Sequence, residues 1–367
     1  MVRVVIDRQF WRARRVLVTG HSGFKGAWLS LWLQAMGAEV TGISDRVLPP
    51  PSLFEVADVA GGMSNHWVDI RDGQRLSSAV RASRPEVVVH MAAQSLVRTS
   101  FEQPHLTYET NVMGTVNVLE AVRQSPETQV VVVVTSDKCY DNRDHARRHR
   151  EDDPMGGTDP YASSKGCAEL VTGAYRESFL DAQGCRVATV RAGNVIGGGD
   201  WSRDRLMADA MRAALSGETL EVRNPDSIRP WQHVLNPLSG YLVLAKALWD
   251  TADLAGGWNF GPSDDDTMSV RSLLDLIGRR WPGGLAWRPD GGAHPPEAPS
   301  LRIDSTRAGQ ILGWKPTWDI GQALDALVEW YRAFGSRADM SAVSLRQIEA
   351  FGQRISPAVM ASRPALG

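Results

Sequence analysis

The sequence predicts an α/β protein built on a doubly wound parallel sheet, with a smaller α/β substrate domain toward the C-terminus. Three observations predict this class. Short, continuous apolar runs alternate with helical periodicities in the first half of the chain, as is typical of parallel strands covered on both faces. A glycine-rich loop separates the first apolar run from the first helical stretch. After about residue 192 the alternation loosens, which indicates a second, less regular domain.

The predicted elements follow in chain order. Residues 15–20 read as a strand and residues 27–36 as a helix with apolar side chains at helical spacing. Further strands are predicted at residues 39–44, 86–90, 130–134 and 186–191, and residues 130–134 are five consecutive valines. Helices are predicted at residues 105–123, 161–179, 205–215, 269–281 and 319–334. The segment 256–261 (GGWNFG) reads as a strand that returns to the main sheet.

The composition bounds the partners and the location. The net charge is −2 and the pI is near 6.5, so we expect no nucleic acid and no anionic membrane as a partner. The three cysteines (Cys139, Cys167 and Cys185) form no C-x-x-C pair, which favours a reduced, cytoplasmic protein. No apolar run approaches the ~20 residues that span a bilayer, and the charged N-terminal stretch lacks a signal core. No metal site is predicted.

The glycine-rich loop, residues 20–26 (GHSGFKG), predicts a dinucleotide site of the Rossmann type. Its glycines allow a tight turn, close approach of the backbone to a pyrophosphate, and close packing of helix on strand. The following helix N-terminus adds N–H groups and a partial positive charge. A purely structural turn is the alternative, but the flanking strand and helix and the acidic residue that follows favour the cofactor.

Residues at the next strand ends extend this prediction. Asp45 lies 19 residues after Gly26, where a carboxylate binds the adenosine ribose and favours NAD; Arg46 weakens this preference because it could meet a 2′-phosphate. Asp69 could contact the adenine edge, with a solvated turn aspartate as the alternative. The full set of predicted cofactor-binding residues is Gly20, His21, Gly23, Phe24, Lys25, Gly26, Asp45, Arg46, Asp69, Ile70, Ala92, Ala93, Tyr161 and Lys165.

Tyr161 and Lys165 form a candidate redox pair. They are four residues apart and therefore share a helix face. A nearby ammonium should lower the pKa of the phenol, so that the tyrosine can take a proton from a substrate hydroxyl as hydride leaves for the nicotinamide. An ordinary surface pair is the alternative. The position of the pair after the strand that leads to Ser136 favours catalysis, and Ser136 could bond the same hydroxyl.

Five segments carry a resemblance to a known family. They are residues 19–26 (TGHSGFKG), 134–142 (VTSDKCYDN), 153–170 (DPMGGTDPYASSKGCAEL), 191–201 (RAGNVIGGGDW) and 229–241 (RPWQHVLNPLSGY). The chain resembles the extended short-chain dehydrogenase/reductase family and, within it, the CDP-glucose 4,6-dehydratases. The resemblance extends from about residue 10 to about residue 335, and TSDKCYDN with RAGNVIGGGDW is its most specific part.

The resemblance implies NAD-dependent conversion of CDP-glucose to CDP-4-keto-6-deoxyglucose. It assigns Asp137 as the acid that protonates the departing hydroxyl of carbon 6, and it places Lys138 where the base for carbon 5 stands. Burial should then raise the pKa of Asp137 and lower that of Lys138. The two could instead form an ion pair that shares a proton. Similar dehydratases that act on dTDP-sugars have a carboxylate at the position of Lys138, so the lysine favours a CDP-sugar.

The resemblance also implies a nucleotide end of the site. Asn194 is expected to bond the diphosphate, and Arg205 and Arg229 to pair with its charge. Trp201 and His233 are expected to line the pocket, with plain core roles as the alternative, and Lys25 to reach the cofactor pyrophosphate. The predicted substrate-binding residues are Gln94, Ser95, Asn194, Trp201, Arg205, Arg229 and His233. The helices at residues 105–123 and 161–179 resemble those of a four-helix dimer interface, so a homodimer or homotetramer is expected.

These expectations divide the chain into three parts: an NAD-binding Rossmann domain at residues 1–191 with a return near residues 230–262, a sugar-nucleotide-binding domain at residues 192–345, and a C-terminal helix and tail at residues 346–367. Two functions remain as alternatives. One is an epimerase, or a dehydratase of a different sugar nucleotide. The other is a catalytically silent NAD-binding regulator. Asp137 and Lys138 argue against an epimerase, and the set Ser136, Tyr161 and Lys165 argues against a silent protein.

Overall fold

The computed structural model describes residues 6–143, 147–292 and 301–355. The predicted tail from residue 356 onward lies outside these residues. The strands of the described part are β1 (Arg15–Thr19), β2 (Glu39–Ser44), β3 (Ser64–Trp67), β4 (Val87–His90), β5 (Val130–Val134), β6 (Arg148–His149), β7 (Arg186–Arg191), β8 (Asn194–Ile196), β9 (Leu220–Val222), β10 (Ile228–His233), β11 (Gly256–Asn259), β12 (Thr267–Ser269), β13 (Trp287–Pro289) and β14 (Arg302–Ile303).

The α-helices of the described part are interspersed with these strands along the chain. They are α1 (Arg8–Trp11), α2 (Phe24–Ala35), α3 (Leu53–Val56), α4 (Gly73–Ser83), α5 (Val97–Glu102), α6 (Pro104–Tyr108), α7 (Gly114–Arg123), α8 (Pro160–Tyr175), α9 (Leu206–Ser216), α10 (Leu235–Asp250), α11 (Val270–Arg280), α12 (Thr306–Ile311), α13 (Ile320–Gly335) and α14 (Met340–Ile355). Two π-helical turns, Glu109–Met113 and Arg176–Leu180, join α6 to α7 and extend α8.

The main sheet has seven parallel strands in the order β11-β7-β5-β4-β1-β2-β3. The strands β2 and β3 follow β1 toward one edge of the sheet. The later strands β4, β5, β7 and β11 extend toward the other edge. The order therefore reverses between β1 and β4, and ligands of such sheets bind in the crevice beyond the carboxyl ends of the strands at this point. The predicted doubly wound fold is confirmed, and the segment 256–261 supplies the edge strand β11.

Helices cover both faces of this sheet because alternate side chains of each strand point to opposite faces. Val16 and Val18 of β1 belong to a large apolar cluster with side chains of α2, α10, α13 and α14. Leu17 belongs to a second cluster with side chains of α4 and α7. The five valines of β5 divide in the same way, so their continuous apolar run reflects burial on both faces rather than one amphipathic face.

The region predicted as a second domain contains short strands and the helices α9 and α11. One small sheet has the order β12-β10-β8, and a second pairs β13 with β9. The sequence analysis did not predict β3, α4, α10 or these small strands. The C-terminal helix α14 begins at Met340, earlier than the predicted residue 346, because its buried side chains, among them Val343 and Phe351, pack with the core beside α2.

Local signals explain where α8 begins. Asp159 caps the helix, since its carboxylate accepts a hydrogen bond from the backbone N–H of Ala162, and Pro160 occupies the first helical position. This start sets the phase of the helix and turns Tyr161 and Lys165 toward the carboxyl ends of the strands. Among the helices of residues 6–143, 147–292 and 301–355, none combines the length and the apolar character needed to cross a membrane.

Candidate active site

A cavity of about 1760 Å³ lies beyond the carboxyl ends of the main-sheet strands, between them and the second domain. It exceeds the ~300–1,000 Å³ that one small ligand occupies, which suits a site for two nucleotides. Most of the predicted site residues line it: Gly20, Gly23, Phe24, Lys25, Gly26, Asp45, Arg46, Asp69, Ile70, Ala92, Ala93, Gln94, Ser95, Ser136, Asp137, Lys138, Tyr161, Lys165, Asn194, Arg205 and Arg229.

Three predicted residues are not among those that line the cavity. The His21 ring is buried behind the glycine-rich loop, against Phe54, with its Nδ1 3.0 Å from the Ser44 hydroxyl. Trp201 packs its ring on Tyr331. His233 is fully buried beside Trp318, and burial lowers its pKa to about 3. The structure thus favours the plain core role for Trp201 and His233, and for the side chain of His21.

The glycine-rich loop has the geometry of a pyrophosphate cradle. Gly20 has φ +75°, and a Cβ at this position would lie 2.7 Å from the backbone nitrogen of Ala92. A Cβ at Gly26 would clash with the carbonyl of Gly20. Gly23 is the N-cap of α2 and has no side chain to accept a hydrogen bond. The first N–H groups of the helix can therefore donate to a bound anion. These residues fit a dinucleotide such as NAD.

Two Asp–Arg pairs lie at the predicted adenosine end of the cavity. Asp45 and Arg46 are exposed, and their charged groups are 3.6 Å apart. Asp69 is held by Arg71, whose Nη2 lies 2.6 Å from its Oδ2, and this hydrogen bond lowers the pKa of Asp69. Arg71 also reaches Glu109 at 3.5 Å. The carboxylate of Asp69 therefore already has a strong partner, whereas Asp45 presents its carboxylate at the cavity wall.

The segment TSDK continues from β5 into a short 3₁₀ turn, Asp137–Cys139. The backbone N–H of Thr135 donates to Val190 O at 3.0 Å, and that of Asp137 to Ala192 O at 3.2 Å. These bonds extend the pairing with β7 beyond the end of the strand. Ser136 caps the turn: its hydroxyl accepts from the Lys138 N–H at 3.2 Å and donates to Asp137 Oδ1 at 3.0 Å. These backbone bonds therefore hold Ser136, Asp137 and Lys138 together in one turn at the cavity.

Asp137 lies in an environment that favours the protonated form of its carboxyl group. Its side chain is buried, and burial raises its pKa, as expected from the sequence. The charges of Lys138 and Arg229 and the hydrogen bond from Ser136 oppose this rise. Lys138 is only half-buried and lines the cavity beside it. The choice between a neutral lysine base and an ion pair with Asp137 therefore stays open.

The redox pair departs from expectation in one respect. Burial raises the pKa of Tyr161 to about 12, whereas a lowered pKa was expected. Lys165 is not among the groups that act most strongly on this phenol; the Ser136 hydroxyl and Arg205 oppose the rise, and Asp137 adds to it. The Lys165 ammonium instead donates to Val134 O at 3.3 Å, and burial lowers its pKa to about 8. The expected direction was wrong because the cost of burying a phenolate exceeds the effect of the charges nearby.

Lys25 lines the cavity and contacts α10, a helix that packs on the main sheet. Its Nζ donates to the Tyr241 hydroxyl at 3.2 Å and lies 5.3 Å from the centre of that ring. Burial lowers the pKa of Lys25 to about 7; Lys165 and Arg205 add to this shift, and Asp137 opposes it. Lys25 therefore lies within the electrostatic field of the catalytic residues, while its contact with a cofactor pyrophosphate stays a prediction.

Five of the predicted substrate residues line the cavity: Gln94, Ser95, Asn194, Arg205 and Arg229. Arg205 donates to the Ser95 hydroxyl at 2.9 Å and to Asp200 at 3.2 Å. The Gln94 side chain bonds Leu96 and Thr107, so it shapes its own loop. The charge of Arg229 is close enough to Asp137 to oppose the rise of its pKa. Asn194 is the first residue of β8 and lines the cavity. Cationic groups thus line the end where a diphosphate is expected.

Several partners of these residues escaped the sequence analysis. Tyr241 and Asp200 lie inside segments that carried the resemblance, yet nothing in their spacing indicated contacts with Lys25 and Arg205. Arg71 follows Asp69 by two residues, and this spacing was the one available signal for their pairing. Glu169 lies four residues after Lys165, on the same face of α8. In the part of the chain that the structure describes, no cluster of acidic, histidine or cysteine side chains could hold a metal ion.

Comparisons with known proteins agree with this geometry. Residues 17–255 match the model of the family described as GDP-mannose 4,6 dehydratase. A CDP-glucose 4,6-dehydratase of Salmonella typhimurium is 49% identical over 350 residues, which cover 94% of this chain and 98% of that protein. A UDP-glucose 4-epimerase of Thermus thermophilus, solved in complex with NAD, superposes with a TM-score of 0.75 at 25% identity, over 86% of this chain and 98% of that one. The structure of MoeE5 with UDP-glucuronic acid and NAD gives a TM-score of 0.74 at 25% identity, over 87% and 99%.

Proposed function

The chain belongs to the GDP-mannose 4,6 dehydratase family of extended short-chain dehydrogenases/reductases, and from this premise we propose that it is an NAD-dependent hydro-lyase that converts CDP-glucose to CDP-4-keto-6-deoxyglucose and water. The observation that carries the reaction type is Asp137, a buried carboxyl with a raised pKa beside Ser136 and Tyr161. The 49% identity with a CDP-glucose 4,6-dehydratase supports the substrate.

The first step that we propose is oxidation at sugar carbon 4. Tyr161 takes the proton of the carbon 4 hydroxyl, and Ser136 orients that hydroxyl. The Ser136 hydroxyl and the charge of Arg205 favour the phenolate that the transfer requires, and Lys165 lies one turn away on the same helix. Bound NAD would supply the redox chemistry, as an acceptor and later a donor of hydride. The glycine cradle, the N-terminus of α2 and Asp45 would hold it.

The second step is the loss of water. The carbon 4 ketone acidifies the hydrogen on carbon 5, so a base beside it can remove that hydrogen as a proton, and Lys138 is the candidate. Asp137 donates its proton to the carbon 6 hydroxyl, which leaves as water when the C–O bond breaks. Burial raises the pKa of Asp137, which favours the protonated form that a general acid requires. A proton returns to carbon 5 at the end of the turnover.

The arginines that line the cavity support a nucleoside diphosphate as the anchor of the sugar. Arg229 and Arg205 are positioned to pair with the diphosphate, and Asn194 to donate a hydrogen bond to it. Arg205 holds Asp200 and Ser95 in the structure, so it joins the diphosphate to both domains. Contacts remote from carbons 4, 5 and 6 can in this way align the sugar with the two catalytic sets.

The experiment that tests this function is the incubation of the purified protein with CDP-glucose in heavy water. We expect a 4-keto-6-deoxy sugar that carries deuterium at carbon 5, because the proton removed there exchanges with solvent before a proton returns. A keto sugar without deuterium would contradict the proposed role of the base. Recovery of unchanged CDP-glucose, while another sugar nucleotide is dehydrated, would refute the substrate.

We propose a homodimer or homotetramer that forms through the helical layer around α8. Among the described residues, five of the ten exposed large apolar side chains belong to α5, α6, α8 and the adjoining π-helical turns. They are Phe101, Tyr108, Met113, Leu170 and Phe179. These elements pack on one another, and apolar groups concentrated on one region mark a contact surface. The domain boundaries at residues 191 and 345 and a cytoplasmic location stay predictions.

A further inference from the structure

A buried ion pair between Glu169 and Arg191 lies directly behind the catalytic loop. The two side chains are each 5% exposed, and Arg191 Nη2 is 2.8 Å from Glu169 Oε2. Neither residue is among those that line the cavity, so the proposed reaction uses neither of them directly. Because the desolvation of two buried charges offsets most of their attraction, such a pair contributes little net stability. The role of the pair follows from the hydrogen bonds that it makes with neighbouring residues.

Glu169 uses both carboxylate oxygens to join three elements. The Thr135 hydroxyl donates to Oε1, and the Thr189 hydroxyl donates to Oε2 at 2.6 Å. Arg191 binds the same carboxylate in a fork, with Nε 2.8 Å from Oε1 and Nη2 2.8 Å from Oε2. Every oxygen thus accepts two hydrogen bonds, and the helix α8 is tied to the end of β5 and to β7.

Arg191 extends the network to the other side of the catalytic loop. Its Nη1 donates to the Tyr140 hydroxyl at 2.6 Å and to Glu151 O at 3.0 Å. The Tyr140 hydroxyl in turn donates to Asn259 Oδ1 at 2.8 Å. Asn259 stands at the end of β11 and donates to His149 O at 2.9 Å. Tyr140 is therefore fixed by two strands of the main sheet, although it lies in a loop.

The two ends of this network flank the proposed acid and base. Thr135 precedes Ser136, and Tyr140 follows Lys138 by two residues. Glu169 lies one turn beyond Lys165 on α8, the helix that also carries Tyr161. We propose that Glu169 and Arg191, with Thr135 and Tyr140, form a positioning unit that holds Asp137 and Lys138 in register with the redox pair of α8. The proposal rests on the proposed dehydratase function.

The unit should affect the two steps of the reaction unequally. Tyr161 and Lys165 are carried by α8 itself, and Ser136 is held by backbone bonds to β7 on either side. On the C-terminal side of Lys138, the backbone N–H of Gly156 donates to Cys139 O at 2.7 Å, and the Tyr140 hydroxyl ties the loop to Arg191 and Asn259. The Tyr140 side chain is therefore the contact that joins the Lys138 side of the loop to the main sheet. A displacement of ~1 Å can slow a reaction by about 100-fold. Loosening this anchor should therefore slow water loss more than oxidation at carbon 4.

The test uses variants that remove single hydroxyl groups and leave the buried charges paired. Tyr140→Phe removes the contact with Arg191 and Asn259, and Thr135→Val removes one contact with Glu169. Thr128→Val is the matched control, because the buried Thr128 hydroxyl donates to Pro85 O at 2.9 Å near the opposite end of β5. With CDP-glucose, the absorbance of the reduced cofactor follows oxidation, and deuterium at carbon 5 with keto-sugar formation follows water loss. Thermal melting reports the folded fraction.

We expect Tyr140→Phe to lower the rate of water loss by about 10-fold or more, to leave oxidation within about twofold, and to accumulate reduced cofactor. Thr135→Val should act in the same direction and Thr128→Val in neither. The proposal is refuted if oxidation and water loss fall in parallel with the folded fraction, or if water loss is unchanged in both loop variants. If the unaltered protein makes no keto sugar from CDP-glucose, the dehydratase function itself fails, which is a separate result.

Discussion

Replacement of Asp137 by asparagine tests the proposed acid with little change of shape. The Ser136 hydroxyl donates to Asp137 Oδ1 at 3.0 Å, and an asparagine carbonyl can accept the same bond. The backbone bond from residue 137 to Ala192 O does not depend on the side chain. What Asp137→Asn removes is the ionisable proton of a buried carboxyl whose pKa is raised.

The role of Asp137 as a general acid sets the expected size of the rate effect. General acid catalysis contributes about 10²–10⁴-fold to a rate, which at ~1.36 kcal/mol per tenfold corresponds to about 3–5 kcal/mol of barrier. We therefore expect water loss to fall by at least ~100-fold. Oxidation at carbon 4 should persist, because Tyr161, Lys165 and Ser136 remain.

The assay follows both steps in one reaction with CDP-glucose. The absorbance of the reduced cofactor reports oxidation, and mass analysis of the sugar nucleotide reports the loss of water. Asp153→Asn serves as the control, since Asp153 is a buried aspartate that is not among the cavity-lining residues and binds the backbone of Arg150 at 2.9 Å. Equal loss of both steps, or an overall rate that Asp137→Asn leaves unchanged, would refute the role of Asp137 as the acid and favour an epimerase.

Three further predictions concern the cofactor loop, the adenosine end and the helical layer. The pKa of Lys25 falls from 10.5 to about 7 in the folded protein; the unfolded chain then holds more protons between these values, so the free energy of unfolding should rise with pH across this window. Thermal melts of Lys25→Met should show a smaller rise and, at pH 7, a Tm about 2 °C higher for each ~1 kcal/mol of relief; an unchanged pH slope would contradict the burial of this cation. Asp45→Ala should weaken NAD binding by about 10-fold, as for the loss of one charged hydrogen bond of ~1.5 kcal/mol, and should improve binding of the 2′-phosphate analogue through Arg46; a fluorescence titration with both cofactors measures this, and equal affinities before and after would exclude Asp45 as a ribose ligand. Leu170→Glu should lower the mass found by light scattering, whereas Ile311→Glu, at another exposed apolar residue, should not; an unchanged mass for Leu170→Glu would exclude the α8 layer as the interface.

Local sequence signals predicted the parts of the fold that depend on local physics. The five valines of β5 and the glycine spacing at residues 20–26 indicate a doubly buried strand and a phosphate loop, because burial and backbone freedom are properties of the residues themselves. Short elements with weak periodicity, such as β3 (SNHW) and the strands of the second domain, carry no such signal. Their backbone becomes strand only when a neighbouring edge offers hydrogen bonds.

Some features of the candidate site were likewise predicted from the sequence, and others were not. Nearly all of the predicted site residues line the cavity, because parallel strands deliver their carboxyl-terminal residues to one edge of the sheet. Trp201 and His233 were placed in the pocket only by resemblance, and the structure favours the core for both. Tyr161 and Lys165 share a face, as their spacing requires, yet the pKa of Tyr161 is raised, because burial in three dimensions and not helical spacing sets the charge balance.

The sequence by itself determined which chemistry is available: TSDK after a buried strand, a tyrosine and a lysine one turn apart, and a loop that accepts a pyrophosphate. The tertiary structure decided how those groups are held and charged. Lys25 meets Tyr241, 216 residues away, and Arg191 joins Glu169 to Tyr140 behind the catalytic loop. Such contacts depend on where distant segments cross and on how much water they exclude, and no spacing within a single segment encodes either.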